Sequence, residues 1–490
     1  MSLDLLAIDT FSFTPHLETT GEICISESLA GSSVGFAFVD VDNPDDMPAH
    51  PLLELFLGGR KHRKVNNLRR LLSVQAVGQI DEPRLPDSSC RAAANFAKHR
   101  VATLDDLKNL SYKGAPLGRG VASSLISRTG DPEPNPRAFR DLISRYLGAS
   151  ALVFEASYLL IRHHRPKTVL VFNGRFACVQ PIVEAAKQLQ VGCLFHERGA
   201  TFERYEIFDK PVDDIVYARQ CIRNAWDRAG TDRGELGRSF FYRRRNGDGI
   251  GWTSYTDGQE RGLVLPRGAS RRLVYFSSSD DEYAACGDLV EHPLFDSQKH
   301  AVHFLIDWVG RQTEIELVIR VHPNVQERSV RERGWWNSLT GANIRLESSA
   351  ARTDSYALAE SADTVLTYGS TMGVEASFLG KPVILLGDSA YRGFGCVYEP
   401  KTLDNLQALL AQAALPPMPQ ETCIPLGYYG LTFGREYRRY QPSDFFHGLF
   451  MGVDLAEEPE LLRRFRMSPA GRAVKKILKP HLFGYGVIRK

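Results

Sequence analysis

Short apolar runs alternate with stretches of helical spacing along most of the chain. DLLAID (4–9) is the kind of run that fills a strand covered on both faces. After the loop TFSFTPHLETT, GEICISESLA has helical spacing and stops at Gly31, and VGFAFVDV (34–41) is the next strand. The same strand–helix–strand pattern returns in KTVLVFNGRF (167–176), VQPIVEAAKQLQ and VGCLFHERG. A third series opens with RRLVYFSSSDDE (271–282). It continues through a helix over about 296–310, IELVIRVHPN, NIRLES, the helix DSYALAESA, TVLTY and KPVILLG. Strands alternating with helices predict α/β architecture with parallel, doubly wound sheets.

The remaining stretches are less regular. Residues 42–150 hold a basic helix candidate, GGRKHRKVNNLRRLL, and a Gly/Ser-rich turn, LGRGVASSLIS. The Pro-rich GDPEPNPRAF then starts a helix that runs on through ALVFEASYLLIRHHR. VDDIVYARQCIRNAWDRA (212–229) is an amphipathic helix. The Gly- and Arg-rich stretch after it has weak periodicity and reads as a connection between lobes, with a boundary near 265. At 490 residues the chain is too long for one ordinary core. The expected division is a Rossmann-like domain over 1–264, a second over 265–430, and a helical segment over 431–490 with a basic tail.

Composition narrows the classes. The chain is 43% hydrophobic and 24% charged with a net charge of +2, so neither disorder nor a global attraction to nucleic acid is expected. Eight cysteines are scattered singly, without metal-site spacing, as befits buried thiols in a reducing compartment. The start MSLDLLAIDT has no secretory character, and no apolar stretch reaches the ~20 residues of a membrane span. The expected location is cytoplasmic.

Parallel α/β sheets bind ligands beyond the carboxyl ends of their strands. Three such ends in the later series are polar: Ser277-Ser278-Ser279-Asp280-Asp281-Glu282, His322-Pro323-Asn324 and Tyr368-Gly369-Ser370-Thr371. If those strands are neighbours, the three sets share one edge. A phosphorylated ligand suits them. A helix starting near Thr371 would present amide donors and its positive end, Ser370 and Thr371 add hydroxyls, and His322 can donate to a phosphate oxygen. Pro323 fixes the turn after His322, and Glu375 would accept from a ribose hydroxyl. The plainer reading of Ser370 is an N-cap.

His322-Pro323 followed by Ser370-Thr371, Glu375 and GKPVI resembles the capsule-polysaccharide biosynthesis glycosyltransferases. The His-Pro and Ser-Thr pairs also resemble motifs with which bacterial sialyltransferases grip the CMP of their donor. In the first half, TPHLETTGEICISESLAGSSVGFAFV and VFNGRFACVQPIVEAAKQLQVGCLFHERG resemble the acceptor lobe of surface-polysaccharide transferases of the Kdo-transferase type. The resemblance spans about 5–385, with a gap over 42–110. It implies a GT-B fold, two Rossmann-like lobes facing across a cleft. It also implies a nucleotide-sugar donor, best matched by CMP-linked Kdo or a related sugar acid, and a glycan or lipid-linked acceptor. No metal cofactor is implied, since amides and basic side chains neutralise the leaving phosphate.

On that resemblance the first lobe supplies the acid/base group. His16, Glu18 and Glu197 are the candidates, with Glu22 and Arg198 beside them. The plainer readings are a solvated first-turn Glu22 and a Glu197 paired with Arg198. Asn173-Gly174-Arg175 ends a strand, and Arg175 suits the carboxylate of a sugar acid. From Arg463 to Lys490 there are nine Lys/Arg and no Asp/Glu, interleaved with Leu, Phe, Ile and Val. That tail, and the basic helix, are expected at an anionic inner-membrane face; nucleic acid is not an expected partner. Two rivals are a UDP-sugar 2-epimerase-like isomerase, which shares the two-lobe architecture, and a non-catalytic component of an assembly complex.

Overall fold

The computed structural model of the chain describes residues 2–46, 60–248, 250, 256, 258–279, 284, 286, 294–457 and 468. It divides into two compact units. Unit 1 comprises Met1–Thr129, Glu133–Val212 and Gly434–Lys490; unit 2 comprises Gly130–Pro132 and Asp213–Phe433.

The sheet of unit 1 is built from β1 (Leu5–Asp9), β2 (Val34–Phe38), β3 (Gly78–Ile80), β4 (Thr168–Phe172), β5 (Gly192–Arg198) and β6 (Arg204–Phe208), with β12 (Arg435–Glu436) at one edge. Its order is β12-β6-β5-β4-β1-β2-β3. The five strands β3-β2-β1-β4-β5 are parallel, β6 runs antiparallel to β5, and β12 antiparallel to β6. Side chains along a strand alternate between faces, and β1 does so with apolar residues from Leu5 to Ile8. Leu6 and Ile8 join one buried cluster, Leu5 and Ala7 the other. Helices α1 (His16–Leu29), α2 (Arg60–Ser73), α3 (Leu117–Thr129), α4 (Arg140–His164) and α5 (Gln180–Gln188) complete the part that matters for the site.

Unit 2 repeats the plan. Helices α6 (Ile215–Arg228) and α7 (Arg233–Arg245) precede β7 (Arg271–Phe276), α8 (Gln298–Val309), β8 (Ile315–Arg320) and β9 (Ile344–Glu347). Helix α9 (Ser355–Ser361), β10 (Thr364–Thr367), α10 (Met372–Phe378), β11 (Val383–Leu385) and α11 (Ile424–Thr432) follow. All five strands are parallel, in the order β11-β10-β7-β8-β9. Here too the faces alternate. Leu273 and Tyr275 enter one cluster, Val274 and Phe276 the other. In both units the first strand lies between the second and the fourth, which is the Rossmann-like order with its switch point beside the first strand.

The expected domain limits differ from this division. The first part of the Gly- and Arg-rich stretch before 265 is helix α7, and it lies in unit 2 with α6. The helix packs because Phe240 and Phe241 present one apolar side, with the Phe241 ring stacked 4.3 Å from Phe378.

A second difference lies after 430. Helix α11 ends at Thr432, and residues 434–450 form β12 and a hairpin of β13 (Tyr440–Pro442) and β14 (Gly448–Phe450) rather than helix. Gly434, Pro442 and Gly448 all oppose helix there. This segment is fastened to α1. Glu22, expected at the solvated start of a helix, is buried and accepts from Arg439 N–H (2.8 Å), Arg439 Nη1 (2.7 Å) and Tyr440 N–H (3.1 Å). Phe450 is fully buried against Gly21, where a side chain would strike Leu68 and crowd the Phe450 ring. The basic tail beyond 457 lies outside the described residues, apart from Ser468. No helix among the described residues is long and apolar enough to cross a membrane.

Candidate functional site

Register fixes the carboxyl edge of the unit 2 sheet. Leu385, Thr367, Phe276, Arg320 and Glu347 are aligned across five strands. The residues after Thr367, Phe276 and Arg320 therefore emerge side by side. They are Tyr368-Gly369-Ser370-Thr371, Ser277-Ser278-Ser279 and Val321-His322-Pro323. Three polar strand ends meet at one edge, at the switch point between β7 and β10. Asp281 lies outside the described residues.

The edge is organised by hydrogen bonds. Ser277 Oγ accepts from the His322 N–H at 2.8 Å and so ties the β7 end to the β8 end. Gln298, the first residue of α8, holds the next residue. Its Oε1 accepts from Ser278 N–H (2.7 Å) and Tyr275 O–H (2.9 Å), and its Nε2 donates to the Ser278 carbonyl (3.1 Å). Ser278 Oγ is buried with no hydrogen-bond partner among the described residues. A buried hydroxyl left unpaired is costly, so this one suits a ligand atom. Ser279 is half-buried beside it.

His322 caps a short turn, Pro323–Glu327, with its Nδ1 accepting from Asn324 N–H at 3.2 Å. Burial holds its pKa down at about 4, with help from the charges of Arg328, Arg320 and Arg244. The ring is therefore neutral at pH 7 with its proton on Nε2, the tautomer that donates to an anion. The same three arginines give the edge a positive field.

The Gly-Ser-Thr turn is more occupied than its sequence implies. Thr367 Oγ1 accepts from Ser370 N–H (2.9 Å) and Gly369 N–H (3.3 Å). Ser370 Oγ accepts from Met372 N–H at 3.3 Å, the N-cap-like role, and Tyr391 O–H donates to the Ser370 carbonyl at 2.8 Å. Two of the expected amide donors thus point into the protein. Thr371 remains exposed and Ser370 half-buried. Gly373 is glycine because a side chain there would strike Tyr391 and Thr367.

Glu375, expected to receive a ribose hydroxyl, is buried with both oxygens engaged. Arg244 Nη2 donates to Oε1 at 3.2 Å, and Tyr356 O–H donates to Oε2. Burial and the adjacent carboxylate push the Tyr356 hydroxyl pKa far up, so it stays a donor. Glu375 is the anchor that holds Arg244 near His322. Arg244 was hidden in a stretch read as connection. The spacing of Phe240 and Phe241 signals a helix, but nothing in the sequence says which arginine turns inward. Gln298 and Thr367 were missed because each looks like an ordinary helix-start or strand residue.

The same edge of unit 1 carries different chemistry. Asp9, Phe172 and His196 end β1, β4 and fall near the end of β5. Asn173 has φ +55° and Gly174 φ +100°, a sharp turn in which a side chain on Gly174 would strike the Phe195 ring. Asn173 Nδ2 donates to Glu197 Oε2 at 3.0 Å, and Glu197 Oε1 accepts from Arg198 N–H at 3.0 Å. His16 belongs to α1 rather than to a loop. Its ring lies 3.7 Å from that of Phe172. Its Nδ1 is 3.9 Å from Glu197 Oε1, too long for a hydrogen bond. Burial, then Arg198, His196 and Lys64, depress its pKa well below the usual imidazole value.

Glu18 and Glu197 are now distinguishable. The Glu18 side chain is 4% exposed, and its Oε1 takes Lys64 Nζ at 2.7 Å and Thr14 O–H at 3.0 Å. The Glu197 side chain is 26% exposed. Lys64 comes from the basic helix α2, whose cations turn inward: Lys61 pairs with Asp40 at 2.6 Å. The expectation that this helix adsorbs to a membrane does not fit Lys61 and Lys64. Arg175, expected to hold a carboxylate, directs Nη1 to Ser123 Oγ (2.8 Å) and Ser127 Oγ (3.1 Å), with its guanidinium 4.2 Å from the centroid of the Phe176 ring. Asp9 was overlooked as one acid within an apolar strand. Burial pushes its pKa up to about 7, opposed by a Thr20 hydrogen bond and aided by Asp46 and Glu18. Among the described residues no group of His, Cys, Asp and Glu has the makings of a metal site.

Residues 288–414 match the family model described as "Capsule polysaccharide biosynthesis protein". The matched stretch lies within unit 2 and contains His322, Pro323, Ser370, Thr371 and Glu375, so the resemblance read from those residues is borne out there. No match is found among curated proteins. Solved structures give remote likenesses. The beta Kdo 2,4 transferase KpsC of Thermosulfurimonas dismutans is 15% identical with a TM-score of 0.37, over 54% of this chain and 79% of that one. The beta Kdo 2,7 transferase of the same KpsC is 14% identical with a TM-score of 0.33, over 56% and 79%. UDP-GlcNAc 2-epimerase from Neisseria meningitidis, bound to UDP-GlcNAc, is 10% identical with a TM-score of 0.28, over 97% and 99%. At these scores the activities stay with those proteins.

Proposed function

We propose, from the capsule-biosynthesis match over 288–414 as premise, that the chain is a nucleotide-sugar-dependent glycosyltransferase of surface-polysaccharide assembly. The observation that carries this reading is the unit 2 edge. Ser277, Ser278, His322 and Ser370 converge there under the charges of three arginines.

His322 Nε2–H would donate to a phosphate oxygen of the donor. As the sugar–phosphate bond breaks, negative charge grows on that oxygen, and a donor already in place stabilises it without reorganisation. Arg244, Arg320 and Arg328 supply the balancing field, so the scheme asks no metal of the protein. Ser278 Oγ would gain its partner from the same ligand. In unit 1, Glu197 is the carboxylate we assign to the acceptor hydroxyl's proton, oriented by Asn173. Glu18 and His16 support it from the buried side. The best donor on the His-Pro and Ser-Thr pairs is CMP-linked Kdo or a related sugar acid, with a glycan or lipid-linked acceptor. Such an enzyme works in the cytoplasm at the inner membrane face, where the basic tail would hold it.

The test is incubation of the full chain with CMP-Kdo and with UDP- and GDP-sugars, following nucleotide release, beside calorimetry with CMP. Release from CMP-Kdo in the presence of acceptor is expected. Binding of a UDP- or GDP-sugar without any CMP-sugar would overturn the donor. Interconversion of UDP-GlcNAc with its 2-epimer would replace transfer by isomerisation.

A further inference from the structure

The β13–β14 hairpin has a buried root and an apolar tip. At the root, Tyr440 and Phe450 are within the unit 1 core, and Glu22 holds Arg439 and Tyr440. At the tip Phe446 is 65% exposed; Leu449, in β14 opposite Gln441, is 42% exposed, and Met451, just past the root, 37%. Large apolar residues gathered on a few positions of an otherwise polar surface mark a contact site.

The turn that presents them is fixed. Asp444 Oδ1 accepts from Phe446 N–H (2.7 Å) and His447 N–H (3.0 Å), and its carboxylate meets His447 Nδ1 at 3.0 Å. The one acid at the tip is thus already surrounded by donors. Arg198 lies against both aromatic rings, 5.3 Å from the Phe445 centroid and 5.5 Å from that of Phe446, and donates to the Phe445 carbonyl at 3.2 Å. Phe446 is therefore held outward by a shaped turn and does not merely dangle.

Charge names the occupant. Arg435 and Arg438 are exposed just before the hairpin. Six residues lie between Phe450 and Glu457, and farther on the run 463–490 carries nine Lys/Arg and no acid. Asp454, Glu457, Glu458 and Glu460 intervene, so attraction to anionic headgroups rests on the run beyond them.

We propose that the turn of this hairpin and the outer side of β14 meet an anionic lipid surface, with Phe446 and Leu449 as the apolar contacts. The basic run concentrates the protein at the surface and the turn inserts. Two weak signals together give stable attachment where one does not. This rests on the membrane-face part of the proposed function, and not on the donor.

The experiment is co-sedimentation of the full chain with vesicles of phosphatidylcholine, with and without phosphatidylglycerol. Wild type should bind the anionic vesicles. Phe446→Ser/Leu449→Ser should lower partitioning about tenfold or more while keeping the wild-type Tm and CMP affinity, since both side chains face solvent. Brominated lipid should quench added fluorescence in Phe446→Trp relative to the wild-type background. No binding by wild type, or unchanged partitioning of the double variant, overturns the proposal. CMP affinity is read separately, so loss of the lipid contact and failure of the transferase reading are distinguishable.

Discussion

At the carboxyl edge of the unit 2 sheet stand hydroxyls, a neutral imidazole and three arginines. At the same edge of the unit 1 sheet stand Asp9, Glu18 and Glu197, with Lys64 and two depressed histidines. The strand order around the first strand is the same in both. Topology decides where a ligand can sit; the side chains that follow each strand decide what charge it carries. An edge rich in donors, with arginines near it, suits phosphate. An edge of carboxylates, one of them partly exposed, suits proton transfer.

Five substitutions, in three tests, probe that contrast. The largest effect is on stability. Glu375→Ala leaves the partly buried Arg244 and the Tyr356 hydroxyl without their carboxylate and should cost about 2 kcal/mol, a fall in Tm of several degrees. Glu197→Ala, at a more exposed carboxylate, should leave Tm nearly unchanged while abolishing transfer. Equal Tm for both variants would show that Glu375 is not an anchor.

Next is ligand affinity. His322→Ala removes a donor to a charged group and should weaken CMP binding about 10- to 100-fold by calorimetry. His16→Ala should leave CMP affinity as it was. If the two variants behave alike, the division of labour between the edges is wrong.

The smallest effect is in pH dependence. Asp9 holds its proton up to about 7 in the folded chain, above its ordinary value of 3.8. Between those values the folded state binds the extra proton, so this residue's contribution to stability falls as pH rises. Asp9→Asn should raise Tm by a few degrees at pH 8, on the order of 1 kcal/mol, and the gain should shrink toward pH 5. A gain independent of pH would mean that Asp9 does not titrate in this range.

How much of this was legible in the sequence follows from what each pattern encodes. Among the described residues, nine of the ten parallel strands lie in apolar runs legible in the sequence, while β3, three mostly exposed residues, does not. Strands β12, β13 and β14 have two or three residues each, too few for any period, and 431–457 therefore read as helix. The three polar strand ends were readable because parallel topology makes position predictable. Direction was not. A carboxylate such as Glu375 reads alike whether it faces a ribose or an arginine of its own chain, and the cations of helix α2 read alike whether they face lipid or Glu18. Those choices are made by residues far away in the chain: Arg244 lies 131 positions from Glu375.

The route of the chain has a consequence for synthesis. Unit 1 is begun by the first residues and completed only by the segment after Gly434, while nearly all of unit 2 is one continuous stretch between them. A ribosome therefore delivers the whole of the second unit before the first can close. Until Arg439 and Tyr440 emerge, Glu22 lacks the partners that let it be buried. At roughly 5–20 residues per second, that interval is tens of seconds in which the opening unit stays incomplete and its apolar surface needs guarding.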